Sequence, residues 1–180
     1  MIIRFAYCTL LALTLFQCQQ ENKNKEAFVK FERQVKPEAL MDFFAKDLIH
    51  ESREVLVLFQ GNIRTRGYAG IFFEFDEGMM LNDRYGLKIM DKFERAVIKS
   101  EKFNNSSGEI FIVPDFSQNG PLDWFDFGEN LEFYNWKSDT GKFLIDESQY
   151  DDSPMTWHGF SMGATRDLNN GRWVVFFLIW

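Results

Sequence analysis

The last nine residues, Arg172-Trp173-Val174-Val175-Phe176-Phe177-Leu178-Ile179-Trp180, constrain the fold more than any other stretch of the chain. Eight consecutive apolar residues fall far short of the roughly 20 that a membrane-spanning helix needs. Left on an open sheet edge, the same run would template aggregation or docking. It is therefore expected as a strand inside a sheet, with a helix over one face and a loop over the other. The 21 phenylalanines among 180 residues fall mostly in patterned runs of this kind, which points to a bulky core.

Earlier segments supply partners for that strand. Val55 to Phe59 is five apolar residues in a row, and Tyr68 to Phe75 places Ala69, Ile71, Phe73 and Phe75 on one side with Gly70, Phe72 and Glu74 on the other. Joined through Gly61-Asn62-Ile63-Arg64-Thr65-Arg66-Gly67, the two read as antiparallel neighbours. The stretch 36–50 has Pro37 and Glu38 in a first turn and Leu40, Phe43, Phe44, Leu48 and Ile49 at three-and-four spacing, which predicts a helix. A second helix is predicted over 84–101, on Leu87, Met90, Phe93 and Val97, with a mixed-sign outer face. From residue 109 onward the pattern is of strands at 109–113, 130–136, 141–145, 156–165 and 172–180. The Asn170-Gly171 pair before the last is a strong hairpin signal. The expectation is an α+β fold: two amphipathic helices packed on a largely antiparallel sheet, with a meander in the C-terminal half.

The first residues are of another kind. Arg4 precedes the apolar run 5–16, with no acidic residue before Cys18, and 19–26 reads Gln-Gln-Glu-Asn-Lys-Asn-Lys-Glu. A short positive region followed by a 12-residue apolar core has the layout of a secretory signal. With Leu15 at the third position before Cys18, the segment resembles a bacterial lipoprotein precursor. The resemblance covers residues 1–20. It implies cleavage before Cys18, acylation of that residue and anchoring to a membrane of the cell envelope, with the domain outside the cytoplasm. The expected organisation is a signal over 1–17, an acylated cysteine and flexible tether over 18–27, and one domain over 28–180.

Charge and sulfur narrow the chemistry. Loss of Arg4 takes the formal charge from −7 to −8, and no basic cluster offsets it, which argues against nucleic-acid binding. Cys8 lies within the expected signal and no cysteine follows Cys18, so the domain has neither a disulfide nor a cysteine metal site.

Gly159-Phe160-Ser161-Met162-Gly163 matches the G-x-S-x-G pattern of serine hydrolases, a strained turn from strand to helix with a histidine supplied later in the chain. Both histidines, His50 and His158, come before Ser161, and Asp167, Asn169, Asn170 and Gly171 leave no room for the helix. In a regular strand His158 and Ser161 point to opposite faces. The pattern reads better as the thin face of a strand, Gly159, Ser161 and Gly163, where a neighbouring ring or backbone comes close.

Two histidines 108 positions apart offer no local metal motif, and no metal or other cofactor is expected. Asp123, Asp126 and Glu129, and Asp146, Glu147, Asp151 and Asp152, form acidic loops without an EF-hand spacing. Arg64 and Arg66 would face the same way in an extended turn, and pairing with the surplus acids is the simplest use for them. Trp124, Trp136 and His158 are candidates for lining a groove that takes an envelope protein or a glycan. The sequence thus reads as an envelope lipoprotein with a non-catalytic binding domain. The alternative is a hydrolase of polysaccharide or peptidoglycan using carboxylates such as Asp123, Asp126 and Asp152.

Overall fold

A computed structural model of the chain describes residues 18–41, 43, 45–59, 69–76, 88–89, 102–104, 110–112, 130–149 and 158–180. Among these residues three helices precede the strands: α1, described over residues 18–32, α2 (Pro37–Leu40) and α3 (Ala45–Glu51). The strands follow as β1 (Glu54–Phe59), β2 (Ala69–Phe75), β3 (Lys88–Ile89), β4 (Lys102–Asn104), β5 (Ile110–Ile112), β6 (Leu131–Thr140), β7 (Gly159–Asp167) and β8 (Trp173–Ile179), with a 3-10 turn at Glu147–Gln149. The fold is α+β, a six-stranded antiparallel sheet with one long helix and two short ones, plus a two-stranded ribbon of β4 and β5.

The sheet runs β1-β2-β8-β7-β6-β3, so the last strand sits inside it between β2 and β7. That position satisfies the backbone of β8 on both edges, and every residue from Trp173 to Ile179 is buried. The expected hairpin closes β7 onto β8: Gly171 has φ +74°, a left-handed conformation glycine adopts without steric cost. The Asp167 carboxylate accepts the Asn169 backbone N–H at 2.8 Å, and Asn170 Oδ1 accepts that of Arg172 at 2.9 Å. β1 and β2 pair antiparallel from Glu54↔Glu74 to Phe59↔Ala69, as expected of two runs this close in the chain.

Alternation along the strands divides the sheet into two faces. Ala69, Ile71, Phe73 and Phe75 share one face with Trp173, Val175, Phe177 and Ile179 of β8 and with Phe160, Met162 and Ala164 of β7. Phe31, Val35, Ala39, Phe43, Leu48 and Ile49 from the helical layer complete this cluster. Phe177 is its hub, with ring centroids 5.5 Å from Phe31, 5.4 Å from Phe43 and 5.4 Å from Phe160. Burying each such side chain contributes about 1.5–3 kcal/mol.

Four expectations are corrected. The helix predicted over 36–50 is two pieces, interrupted where Phe43 buries its ring against Phe73, Trp136 and Phe177. Helices this short gain little from propagation, so tertiary contacts decide where they stop. Lys88 and Ile89, predicted helical, pair instead with Asn135 and Tyr134, using the hydrogen-bonding groups on the outer edge of β6. The rest of 84–101 lies outside the described residues. Residues 141–145 form no strand. Leu144 makes one bridge to Val35, flanked by Lys36 N–H to Phe143 C=O at 2.7 Å and Ile145 N–H to Gln34 C=O at 2.8 Å.

The segment expected to be a tether, 18–27, is helical and forms the first half of α1. Its polar side chains pair at four-residue spacing: Lys25 Nζ lies 2.6 Å from Glu21 Oε1, and Gln20 Nε2 donates to Asn24 Oδ1 at 3.1 Å. Asn24 is only 2% exposed and donates to the Ser52 carbonyl and hydroxyl, both at 3.4 Å. Asn24, Phe28, Phe31 and Val35 then form one inward stripe clamped to the domain. The expected signal, 1–17, lies outside the described residues.

Candidate functional site

The outward side of α1 follows from that stripe. With Asn24, Phe28 and Phe31 turned inward, Lys25, Glu26, Val29, Lys30 and Arg33 are left exposed, and with Gln34 they line a shallow groove of about 500 Å³. Val29 is 40% exposed at its middle. Lys30 Nζ stands 5.3 Å from the centroid of the Phe59 ring, a cation–π contact that leaves its charge at the surface. The Glu21 carboxyl is held below its usual range by its hydrogen bond and charge attraction to Lys25, with a smaller contribution from His50. Among the described residues, neither Lys30 nor Arg33 takes part in an ion pair. Cys18, on the same helix, is exposed.

The G-x-S-x-G segment is β7 itself, a continuous strand paired on both sides. Its thin face is occupied by Trp180. The indole Nε1–H donates to Ser161 Oγ at 2.9 Å, and Trp180 and Gly159 exchange backbone hydrogen bonds at 2.7 and 2.9 Å. A Cβ on Gly159 would collide with the Asp139 carbonyl oxygen and fall 2.7 Å from the Trp180 ring. Glycine and serine are there because an indole and a backbone carbonyl need the space. His158, 2% exposed, lies three residues from Ser161 along the strand, and Phe160 and Met162, which share its alternation, face the helical layer.

The other sequence candidates are scattered. Trp136 is the extra residue of a bulge in β6, where the register passes from Asn135↔Gly163 to Lys137↔Met162. Its ring packs half-buried against Phe43 at 6.3 Å between centroids. Asp123, Trp124, Asp126 and Asp152, with Glu129, Asp151, Arg64 and Arg66, lie outside the described residues. Asp146 binds its own turn, accepting the Ser148 hydroxyl at 2.6 Å, and Lys36 Nζ pairs with Glu147 at 2.6 Å. That hydrogen bond and charge lower the Glu147 carboxyl. No group of three or more metal-ligating side chains occurs among the described residues.

Two ionisable pairs sit at the end of the sheet near Trp173. Arg172 Nη1 meets Glu74 Oε1 at 2.8 Å, and burial pushes the Glu74 carboxyl up despite Arg172 and Arg53 nearby. Tyr134 donates to Glu132 Oε2 at 2.5 Å. Burial first, and this bond second, push its hydroxyl up to about 12. Arg166 stacks over Trp173 at 5.4 Å, and Tyr134 and Trp173 lie 5.0 Å apart. The first pair links β2 to the start of β8, and the second lies within β6.

No protein-family model, curated protein or solved structure matches the chain. Its chemistry is therefore read from its own residues. The outer face of α1 was hidden in the sequence by a composition that suits a tether. The signal that could have found it is the inward stripe at 24, 28, 31 and 35, which leaves 25, 26, 29, 30 and 33 facing out.

Proposed function

We propose that this chain is a cell-envelope lipoprotein: Cys18 becomes the first residue, is acylated and anchors a domain outside the cytoplasm that binds a ligand or protein partner and performs no catalysis. One observation carries the reading. Arg4, the apolar run 5–16 and Leu15 lead to Cys18, beyond which the chain has no other cysteine, and Cys18 is exposed. A thiol displayed there is open to modification, and nothing in the domain competes for it as a disulfide partner. The non-catalytic part of the reading is supported by β7, where the Ser161 hydroxyl accepts the Trp180 indole N–H and the motif runs on as a strand in place of the strand-to-helix turn.

Expression of the full chain in a bacterial host, followed by intact mass measurement and detergent partitioning, tests the anchor. The mature product is expected to begin at Cys18, to carry added acyl mass and to enter the detergent phase. Cys18→Ser should lose both properties. An unmodified product that begins elsewhere would overturn the reading.

A further inference from the structure

We propose that α1 lies along the surface of the membrane that holds Cys18, with Lys25, Val29, Lys30 and Arg33 against anionic phospholipid headgroups. The inference rests on the lipoprotein reading above and adds the orientation of the domain and the lipid class it meets. The first ground is geometric. The chain is helical from residue 18, so at about 1.5 Å per residue Val29 stands roughly 16 Å from the anchored cysteine along the axis. A helix offers none of the slack of a flexible tether. It is also fastened to the domain, through Asn24 to Ser52, Phe31 to Phe177, and Val35 to Leu144. Acyl chains entering the bilayer at Cys18 therefore hold one side of the domain beside the headgroups.

Charge selects the side. Residues 18–36 carry five basic and three acidic side chains, whereas 37–180 carry fourteen basic and twenty-four acidic. An anionic surface attracts the first segment and repels the rest, and at physiological salt this acts only within about 8 Å. The cations that approach so closely are those of the exposed face of α1. The groove they line also holds the Glu26 carboxylate, and Lys25 is paired with Glu21, so Lys30 and Arg33 supply its surplus positive charge for headgroup phosphates, while Val29, 40% exposed among them, supplies an apolar contact at the level of the interface. The acidic balance elsewhere makes this a directional contact.

The test uses the full-length chain, matured in a bacterial host and reconstituted in phosphatidylcholine vesicles with and without phosphatidylglycerol. An environment-sensitive fluorophore is placed at Val29→Cys, where acylation protects Cys18 and removal of the signal removes Cys8. With acylation verified by mass, the label is expected to shift to shorter wavelength and to be quenched by lipid-borne quenchers only when phosphatidylglycerol is present. Lys30→Glu with Arg33→Glu should abolish that shift while the protein stays vesicle-bound. An acylated, vesicle-bound protein whose label does not shift would overturn the orientation, and one whose label shifts equally in both lipids would overturn the assignment to anionic headgroups; either leaves the anchor standing. A mature chain without lipid mass would remove the anchor and this inference with it.

Discussion

The two faces of the central sheet are both buried, yet they are filled in different ways. Toward the helices, Phe177 meets Phe31, Phe43 and Phe160, and the contacts are between rings and hydrocarbon. On the opposite face, Phe72, Phe176 and Leu178 share the surface with Glu74, Ser161, Thr165 and Asp167, all at most 4% exposed, and with two glycines of β7. Apolar packing is adaptable: a neighbouring side chain can partly fill a gap. The polar face depends on individual pairings, Trp180 with Ser161 and Arg172 with Glu74, so each loss there leaves a named group without its partner.

The largest expected effect tests the helical side. Phe177→Ala removes the ring shared by three others and should cost about 4 kcal/mol, measured by urea denaturation with an unchanged m-value. If the face were loosely packed the loss would be near 1 kcal/mol, and the contrast between the faces would disappear. Gly159→Ala should come next, at about 3 kcal/mol. One methyl group there must displace a backbone carbonyl and an indole, and a carbonyl in a paired strand cannot turn away as a flexible side chain can. A neutral Gly159→Ala would mean that the thin face of β7 has room to spare.

This contrast also explains what could be read in advance. β8 was legible because eight apolar residues have few places to go, and its hairpin because Asn170-Gly171 fits a left-handed turn. Gly159 and Ser161 were legible as a close approach, although the indole that fills the space comes from the far end of the chain. α1 was misread because its first half is polar, and a buried Asn24 carries no hydrophobic signal until Ser52 is known to face it. The short helices and β3 depended on contacts with Phe177 and with the open edge of β6, which local periodicity does not encode. Of the candidate site, Cys18 stood out as the last cysteine of the chain, following an apolar run, whereas Lys25, Lys30 and Arg33 gain meaning only once α1 is known to be a helix.

Arg172→Met should cost about 2 kcal/mol at neutral pH. Removing one partner of a fully buried ion pair costs about 3–5 kcal/mol, and Arg172 keeps 20% of its side chain open to solvent, which lowers the penalty. The pH dependence has a definite sign. Glu74 is already raised above its ordinary 4.5 by burial, so its contribution to stability is complete below that value and falls as pH rises through its folded pKa. Without Arg172 the carboxyl moves further up. The deficit of the variant should therefore vanish near pH 4 and grow toward pH 7 in denaturation midpoints. A deficit independent of pH would show that Arg172 acts through packing alone.

Ser161→Ala is the smallest of these effects and the most discriminating for the G-x-S-x-G segment. The hydroxyl accepts one hydrogen bond from an indole that is 1% exposed, so its removal leaves a buried N–H donor without that acceptor. A neutral hydrogen bond contributes about 1 kcal/mol, and that loss is expected in the unfolding free energy. Ser161→Thr adds a methyl group while keeping the acceptor. On a face already tight at Gly159 it should be no better tolerated than alanine, for a steric reason, whereas a Trp180→Phe background should erase most of the cost of Ser161→Ala. That coupling separates the two meanings of the motif. A serine that holds an indole loses its importance when the donor is gone, and a serine kept for chemistry would remain costly to the protein's activity and nearly silent in its stability.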